Sequence, residues 1–309
     1  MAIYSSDLEL SLFAERAYTS ILDNGYIVEP ESFKEIGYGM SFKVIDKNAP
    51  KKEISVAVYH TDKKGFSFVV KDERIRYILN MLLTSIDIAG SDEAGKGDFF
   101  GPLVVCCFIF GEKEKNILKL DIKDSKKLSN EKILGIYSRI YSEFRDSFSS
   151  VRIMPERYNT FYSELSKNGK NLNSMLAWAH AKAISILFEK RTDAKKLIVD
   201  RFSENPAINR IISTAAGSVP VEFIVRAEQN PAVAIASIIA RAEYLNSLKQ
   251  LSSSVLENKF DLISGSGEQA DILLSEIRKN MGEECLKKIC KMHFANYTGK
   301  IISELETSQ

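Results

Sequence analysis

From residue 86 onward the chain is built from short apolar runs, and several of them stop on an acid. Residues 86–92, 103–110, 150–154, 196–200 and 221–226 have the length and composition of strands. Helical spacing marks residues 171–190, and Asn230-Pro231 opens a long helix over 230–251, with Asn as cap and Pro in the first turn. Strands separated by helices predict a layered α/β domain. In such a sheet, parallel strands deliver their C-terminal ends to one edge, where ligands bind. Asp92 and Glu93 close the first run, Asp200 ends the fourth and Glu228 follows the fifth, so acids spread over residues 92–228 can meet there.

The region before residue 85 follows a different pattern. Leu8, Leu12, Ala14, Ala17, Ile21 and Leu22 recur at helical spacing, and Asp23-Asn24-Gly25 closes that segment as a C-terminal cap. Strand-like pieces at 38–45, 54–59 and 66–70 are joined by Lys, Asp, Asn, Pro and Gly turns, which suits an antiparallel meander. A helix over 73–83 follows. The expected organisation is a small α+β domain at 1–84 with one curved sheet, then a larger α/β domain at 85–309, ending in helical residues 269–290 after a joint at 264–267.

A length of 309 residues accommodates both domains, and 45% hydrophobic with 27% charged residues excludes long disordered stretches. The net charge of +1 does not by itself argue for nucleic acid. Basic runs at 123–127 and 287–291 around an acidic pocket would still attract a polyanion. Cys106, Cys107, Cys285 and Cys290 lack CxxC spacing and read as reduced thiols rather than a disulfide or zinc site. No apolar run reaches the roughly 18 residues of a membrane span. We therefore expect a cytoplasmic protein without a membrane partner, working as a monomer.

Four carboxylates gathered in one pocket repel, and they remain ionised together only if cations neutralise them. The arrangement thus implies bound metal. Two ions about 4 Å apart can clamp a phosphodiester, one activating water and one stabilising the leaving oxygen. Such chemistry needs no side-chain nucleophile, in keeping with three histidines and no Ser/His/Asp ordering. Taken singly, Glu228 also reads as a helix cap or a solvated strand end. Around Lys96 the turn Gly95-Lys96-Gly97 lets main-chain N–H groups approach a ligand, although an acidic Gly-rich turn is also a common solvated loop.

Asp92-Glu93-Ala94-Gly95-Lys96-Gly97, with Asp124-Ser125-Lys126-Lys127-Leu128, resembles the type 2 ribonucleases H. The longer stretch Gly97-Asp98-Phe99-Phe100-Gly101-Pro102 is similar to the ribonuclease HIII branch. Three further blocks agree: Asn171-Leu172-Asn173-Ser174-Met175-Leu176-Ala177-Trp178-Ala179-His180, Ala236-Ser237-Ile238-Ile239-Ala240-Arg241 and Lys291-Met292-His293-Phe294-Ala295-Asn296.

The resemblance implies a ribonuclease H-like catalytic domain, Mg²⁺ or Mn²⁺ as a pair of divalent ions, and an RNA/DNA hybrid as substrate. It implies endonucleolytic cleavage of the RNA strand, leaving 5′-phosphate and 3′-hydroxyl ends. Asp92, Glu93, Asp200 and Glu228 would be both metal ligands and catalytic residues, with Asp92 bridging the ions. Glu in place of Asp at 228 points to the ribonuclease HIII branch. That branch carries an N-terminal domain resembling the TATA-box binding protein fold, which grips the hybrid; here residues 38–43 and 58–59 fit and residues 61–65 depart from the pattern.

Lys96 stands where the branch usually has Thr. Gly95, Lys96 and Gly97 are expected to read 2′-hydroxyls through main-chain groups, with the lysine offering charge to a phosphate. A junction ribonuclease acting at single ribonucleotides is the alternative that Lys96 motivates, and a silent nucleic-acid binding protein is a third reading. Ser125, Lys126 and Lys127 are expected on substrate phosphates, their alternative being a solvated charge run. His180 reads as a structural hydrogen-bonding residue on a core-facing helix, and His293 belongs to a block nearer the substrate. Trp178 and Phe294 read as packing residues.

Overall fold

In a computed structural model the described residues are 7–61, 65–83, 87–111, 113, 114, 117, 128–191 and 193–298. The chain divides into two compact units, one from the described residues up to 83 and one from those beginning at 87.

The first unit begins with α1 (Leu8–Asp23), whose N-cap Asp7 accepts from Leu10 N. Strands β1 (Tyr26–Val28), β2 (Lys34–Ile36), β3 (Gly39–Asp46), β4 (Ala49–Thr61) and β5 (Gly65–Val70) follow, then α2 (Glu73–Leu83). The sheet is antiparallel, in the order β1-β3-β4-β5, and β2 also pairs with β3, at residues 39–41, where β1 pairs at residues 44–46. Its apolar residues alternate with a period of two: Met40, Phe42 and Val44 on β3 and Ile54, Val56 and Val58 on β4 are buried with Leu10, Phe13, Ala17 and Leu79 of the helices. The opposite sheet face therefore carries Ser41, Lys43, Ser55, Ala57, Tyr59 and Ser67.

The second unit holds a five-stranded sheet in the order β10-β9-β6-β7-β8, formed by β6 (Ile88–Ala94), β7 (Leu103–Phe110), β8 (Phe148–Ile153), β9 (Lys196–Asp200) and β10 (Val221–Ile224). Strands β6, β9 and β10 run parallel, and β7 is antiparallel to both its neighbours. All residues of β7 are buried, as expected for a strand covered on both faces. On one face lie α5 (Leu172–Lys190) and α6 (Pro206–Ala215), which pack on Ala89, Val105, Cys107, Leu197 and Val199. The other face is covered by α7 (Pro231–Ser254), a helix apolar nearly all round, and α3 (Asn130–Glu143) packs on α7. The remaining helices are α4 (Pro155–Lys167), α8 (Glu268–Met281) and α9 (Glu283–Ile289).

The expected strands and long helices are present, with shifted ends. The run at 221–226 stops as a strand at Ile224, and Arg226 takes a left-handed φ of 57°. The helical stretch at 269–290 is cut in two at Gly282, whose φ of 80° ends one helix before the next begins. Gly90 sets how closely α7 approaches the sheet: a Cβ there would lie 2.3 Å from the Ala232 carbonyl carbon and 2.3 Å from Val233 N. Only a residue without Cβ lets the start of α7 sit directly on β6.

Candidate active site

The sheet brings three separated segments to one edge. Ser91 pairs with Val199 in the parallel β6–β9 ladder, so the next residue of each strand sets Asp92 beside Asp200. Glu228 arrives from a single 3₁₀ turn, Ala227–Gln229, between β10 and α7. Asp200 Oδ1 accepts from Ala227 N at 3.1 Å, so one acid fixes the turn that carries another. This explains why the strand ends early: the left-handed Arg226 redirects the chain to bring Ala227 within reach.

A cavity of about 620 Å³ opens at this edge. Its lining includes Asp92, Glu93, Gly95, Lys96, Gly97, Asp98, Asp200 and Glu228, together with Ser237 and Arg241 of α7. Seven of the ten residues expected to act in catalysis or substrate binding therefore share one pocket. Ser125, Lys126 and Lys127 lie outside the described residues; Leu128, Asn130 and Ile133, just beyond them, line the same cavity.

Strand alternation turns the adjacent acids to opposite sides of the sheet. Asp92 faces α7, where the Ser237 hydroxyl hydrogen-bonds its carboxylate, and its Oδ1 also accepts from Glu93 N at 2.8 Å. Burial, reinforced by the Glu93 charge, pushes the Asp92 pKa up to about 8. Glu93 faces α5, with Oε2 3.3 Å from His180 Nε2 and Oε1 3.4 Å from Lys96 Nζ. Burial works to raise the Glu93 pKa as well, but the hydrogen bond and charge of His180, with Lys96 behind them, hold it below the usual carboxylate range.

This donor set fits hard divalent cations. It consists of carboxylate oxygens, and Asp92 is costly to ionise beside Glu93 unless positive charge enters the site. Among the described residues no three His, Cys, Asp or Glu side chains already stand close enough together to hold a metal ion.

The glycine loop is firmly tied. Gly95 has φ +86°, and a Cβ there would come within 2.1 Å of the Pro102 carbonyl oxygen. Asp98 Oδ1 accepts from Gly265 N at 2.6 Å, and the Tyr244 hydroxyl donates to the Phe100 carbonyl at 3.1 Å. Beneath the loop the buried Lys291 ammonium donates to the Asp98 carbonyl at 2.7 Å and faces that of Phe100 at 3.4 Å. Burial, against the opposing pull of Asp98, draws the Lys291 pKa down to about 7. The loop is thus a rigid wall of the pocket.

Lys96 points to Glu93 and lies 5.6 Å from the Phe202 ring centroid. His180 makes structural hydrogen bonds, to Ser91 and to the pocket acid Glu93. His293 stacks on Tyr162 with centroids 4.2 Å apart and is absent from the pocket lining. Phe294 packs on Phe99 as expected, and Trp178 rests edge-on against Phe161 while 45% exposed. Ser237 and Arg241, the polar members of the 236–241 block, join the lining from one face of α7, where their i, i+4 spacing puts them.

Comparison with known proteins gives the same picture. The family model described as ribonuclease HII matches residues 89–297. Ribonuclease HIII of Protochlamydia amoebophila is 35% identical over 215 residues, covering 68% of this chain and 68% of that protein. Ribonuclease HIII of Chlamydia trachomatis serovar D is 34% identical over 211 residues, 67% of each chain. The crystal structure of Bst-RNase HIII in complex with Mn²⁺ aligns with a TM-score of 0.63 at 25% identity, covering 96% of both chains. A sheet edge lined with acids, a glycine loop beside it and these matches together lead to one assignment: the chain belongs to the type 2 ribonuclease H family, alongside its ribonuclease HIII relatives, and is a ribonuclease H enzyme.

Proposed function

We propose that this enzyme cuts the RNA strand of RNA/DNA hybrids endonucleolytically with two divalent ions, Mg²⁺ or Mn²⁺, leaving 5′-phosphate and 3′-hydroxyl ends. The observation that carries the reading is the convergence of Asp92, Glu93, Asp200 and Glu228 on one pocket with Gly95, Lys96 and Gly97. When bound, the ions activate a water and stabilise the leaving oxygen. Asp92 and Asp200, side by side on the α7 face, would hold the ions together with Glu93 and Glu228. Ser237 fixes the Asp92 carboxylate in position.

Substrate recognition falls to the neighbouring loop. Nothing stands within 4 Å of where a Cβ on Gly97 would be, so a ribose can approach the main chain there and present its 2′-hydroxyl. Ser125, Lys126 and Lys127 are assigned to substrate phosphates by their motif, and Arg241 supplies a further positive charge on the lining. The N-terminal unit, on this reading the TATA-box binding protein-like domain of residues 1–84, grips the hybrid with the open face of its sheet. Four free cysteines suit a reducing, cytoplasmic compartment.

The test compares a long RNA/DNA hybrid with duplex DNA holding one ribonucleotide, each in Mg²⁺ and in Mn²⁺. The full chain should cut the long hybrid, and a chain lacking residues 1–84 should keep turnover with KM raised by roughly 10-fold and a flatter salt dependence. No cleavage of the long hybrid in either metal sinks the proposal. Incision only at the single ribonucleotide would favour the junction ribonuclease, and an unchanged salt slope would remove the gripping role from the N-terminal unit.

A further inference from the structure

Both oxygens of Glu93 are engaged by donors of the chain itself, and the two contacts are unlike. Oε2 faces Nε2 of His180, a fully buried imidazole. Its other nitrogen, Nδ1, lies 2.8 Å from Ser91 Oγ. The Ser91 hydroxyl also lies 3.0 Å from the Cys106 carbonyl, so Ser91 ties the imidazole to the β6–β7 ladder. Phe202 stacks on the imidazole with ring centroids 5.1 Å apart and planes inclined by 14°. His180 is thus locked between the β6–β7 ladder and an aromatic ring.

Lys96 holds the other oxygen loosely. Its contact with Oε1 is 3.4 Å long, and its side chain is 38% exposed. A partly exposed ion pair on a flexible stem is weak and readily exchanged. The same Phe202 ring that stacks on His180 lies under the lysine ammonium, at 5.6 Å, so Lys96 has a second resting place beside the pocket.

We propose that Lys96 is an exchangeable counter-ion: it holds Glu93 Oε1 in the metal-free chain and yields that oxygen when a divalent cation binds, while the Cys106–Ser91–His180 chain retains Oε2. His180 is then a positioning residue, presenting one fixed carboxylate oxygen to the metal, and Lys96 becomes available to a substrate phosphate only in the loaded enzyme. The proposal rests on the reading of Glu93 as a metal ligand.

Direct titration with Mn²⁺, following the free ion by electron paramagnetic resonance, tests it on the full chain. Lys96→Met should bind Mn²⁺ about 3- to 10-fold more tightly than the parent, because a competing charge is gone. His180→Gln should bind it about 10- to 100-fold more weakly. Ser91→Ala, which removes only the anchor of Nδ1, should shift affinity in the same direction and serves if His180→Gln fails to fold. Equal or weaker binding by Lys96→Met overturns the exchange, and unchanged binding by both His180→Gln and Ser91→Ala overturns the positioning role. A parent that binds no Mn²⁺ would overturn the metal-site reading itself, an outcome distinct from either.

Discussion

Asp92→Asn should lose at least about 1,000-fold in cleavage rate and yet give a more stable metal-free protein. The amide matches the carboxylate in size and can still meet the Ser237 hydroxyl, so the loss of rate reports charge rather than shape. The gain in stability follows from linkage. Asp92 holds its proton in the folded chain up to about pH 8, whereas the unfolded chain releases it near 3.8. Between those values the folded state binds the extra proton, so the parent loses stability as pH rises through that window. The asparagine variant carries no such penalty. Allowing for the partial exposure of Asp92, the difference at pH 7 should be on the order of 1–2 kcal/mol. Thermal melts at pH 4.5 and pH 8 measure it, and adding Mn²⁺ should stabilise the parent far more than the variant. A variant that cleaves like its parent would remove Asp92 from the catalytic centre.

Gly90→Ala should be among the most destabilising single substitutions in the second unit. The added Cβ meets main-chain atoms of Ala232 and Val233 at 2.3 Å, and backbone at the start of a buried helix cannot rotate aside. Either α7 lifts from β6 or the strand bends, and each route disturbs Asp92 against Ser237. The expected loss is about 3 kcal/mol, seen as a fall in Tm of roughly 10 °C. Activity should fall with it even where the protein remains folded, because α7 carries Ser237 and Arg241. Gly135→Ala is the control: it lies on the exposed side of α3 with nothing within 4 Å of the new Cβ. That change should be neutral or stabilising by roughly 0.5–1 kcal/mol. Equal melting temperatures for the two variants would show that the α7–β6 approach is not tight.

The elements that position the acids were readable because their patterns are strong. Leu103–Phe110 is an unbroken apolar strand, and Asn230-Pro231 announces α7 with a cap and a first-turn proline. Helices α3, α4 and α6 were not singled out, although Ser129, Pro155 and Asn205-Pro206 mark their starts in the same chemical terms. Their hydrophobic faces are narrow: α3 buries only Ile133, Ile136 and Ile140. Even so, Ile133, Ile136 and Ile140 stand at i, i+3 and i+7, the spacing of an amphipathic helix, so these starts were legible too.

Within the site, the sequence pointed to carboxylates but not to the groups that hold them. Ser237, His180 and Lys291 act through tertiary contacts across 145, 87 and 193 residues, from Asp92, Glu93 and Asp98 respectively. No local pattern encodes a contact of that kind. Lys96 is the reverse case: its position beside the pocket was evident, whereas its direction depends on Phe202, a residue that only the fold brings near. The opposite facing of Asp92 and Glu93 was implicit in strand alternation and became informative once α7 and α5 were known to cover different faces.

On the proposed reading Asp92, Glu93, Asp200 and Glu228 form one divalent-metal centre at the C-terminal edge of the parallel strands. Anomalous diffraction at the manganese edge from crystals soaked in Mn²⁺ tests it most directly. Anomalous density is expected among these four carboxylates, with Lys96 Nζ moved away from Glu93. Ordered Mn²⁺ bound elsewhere on the chain, with this cluster empty and Lys96 still against Glu93, would contradict it.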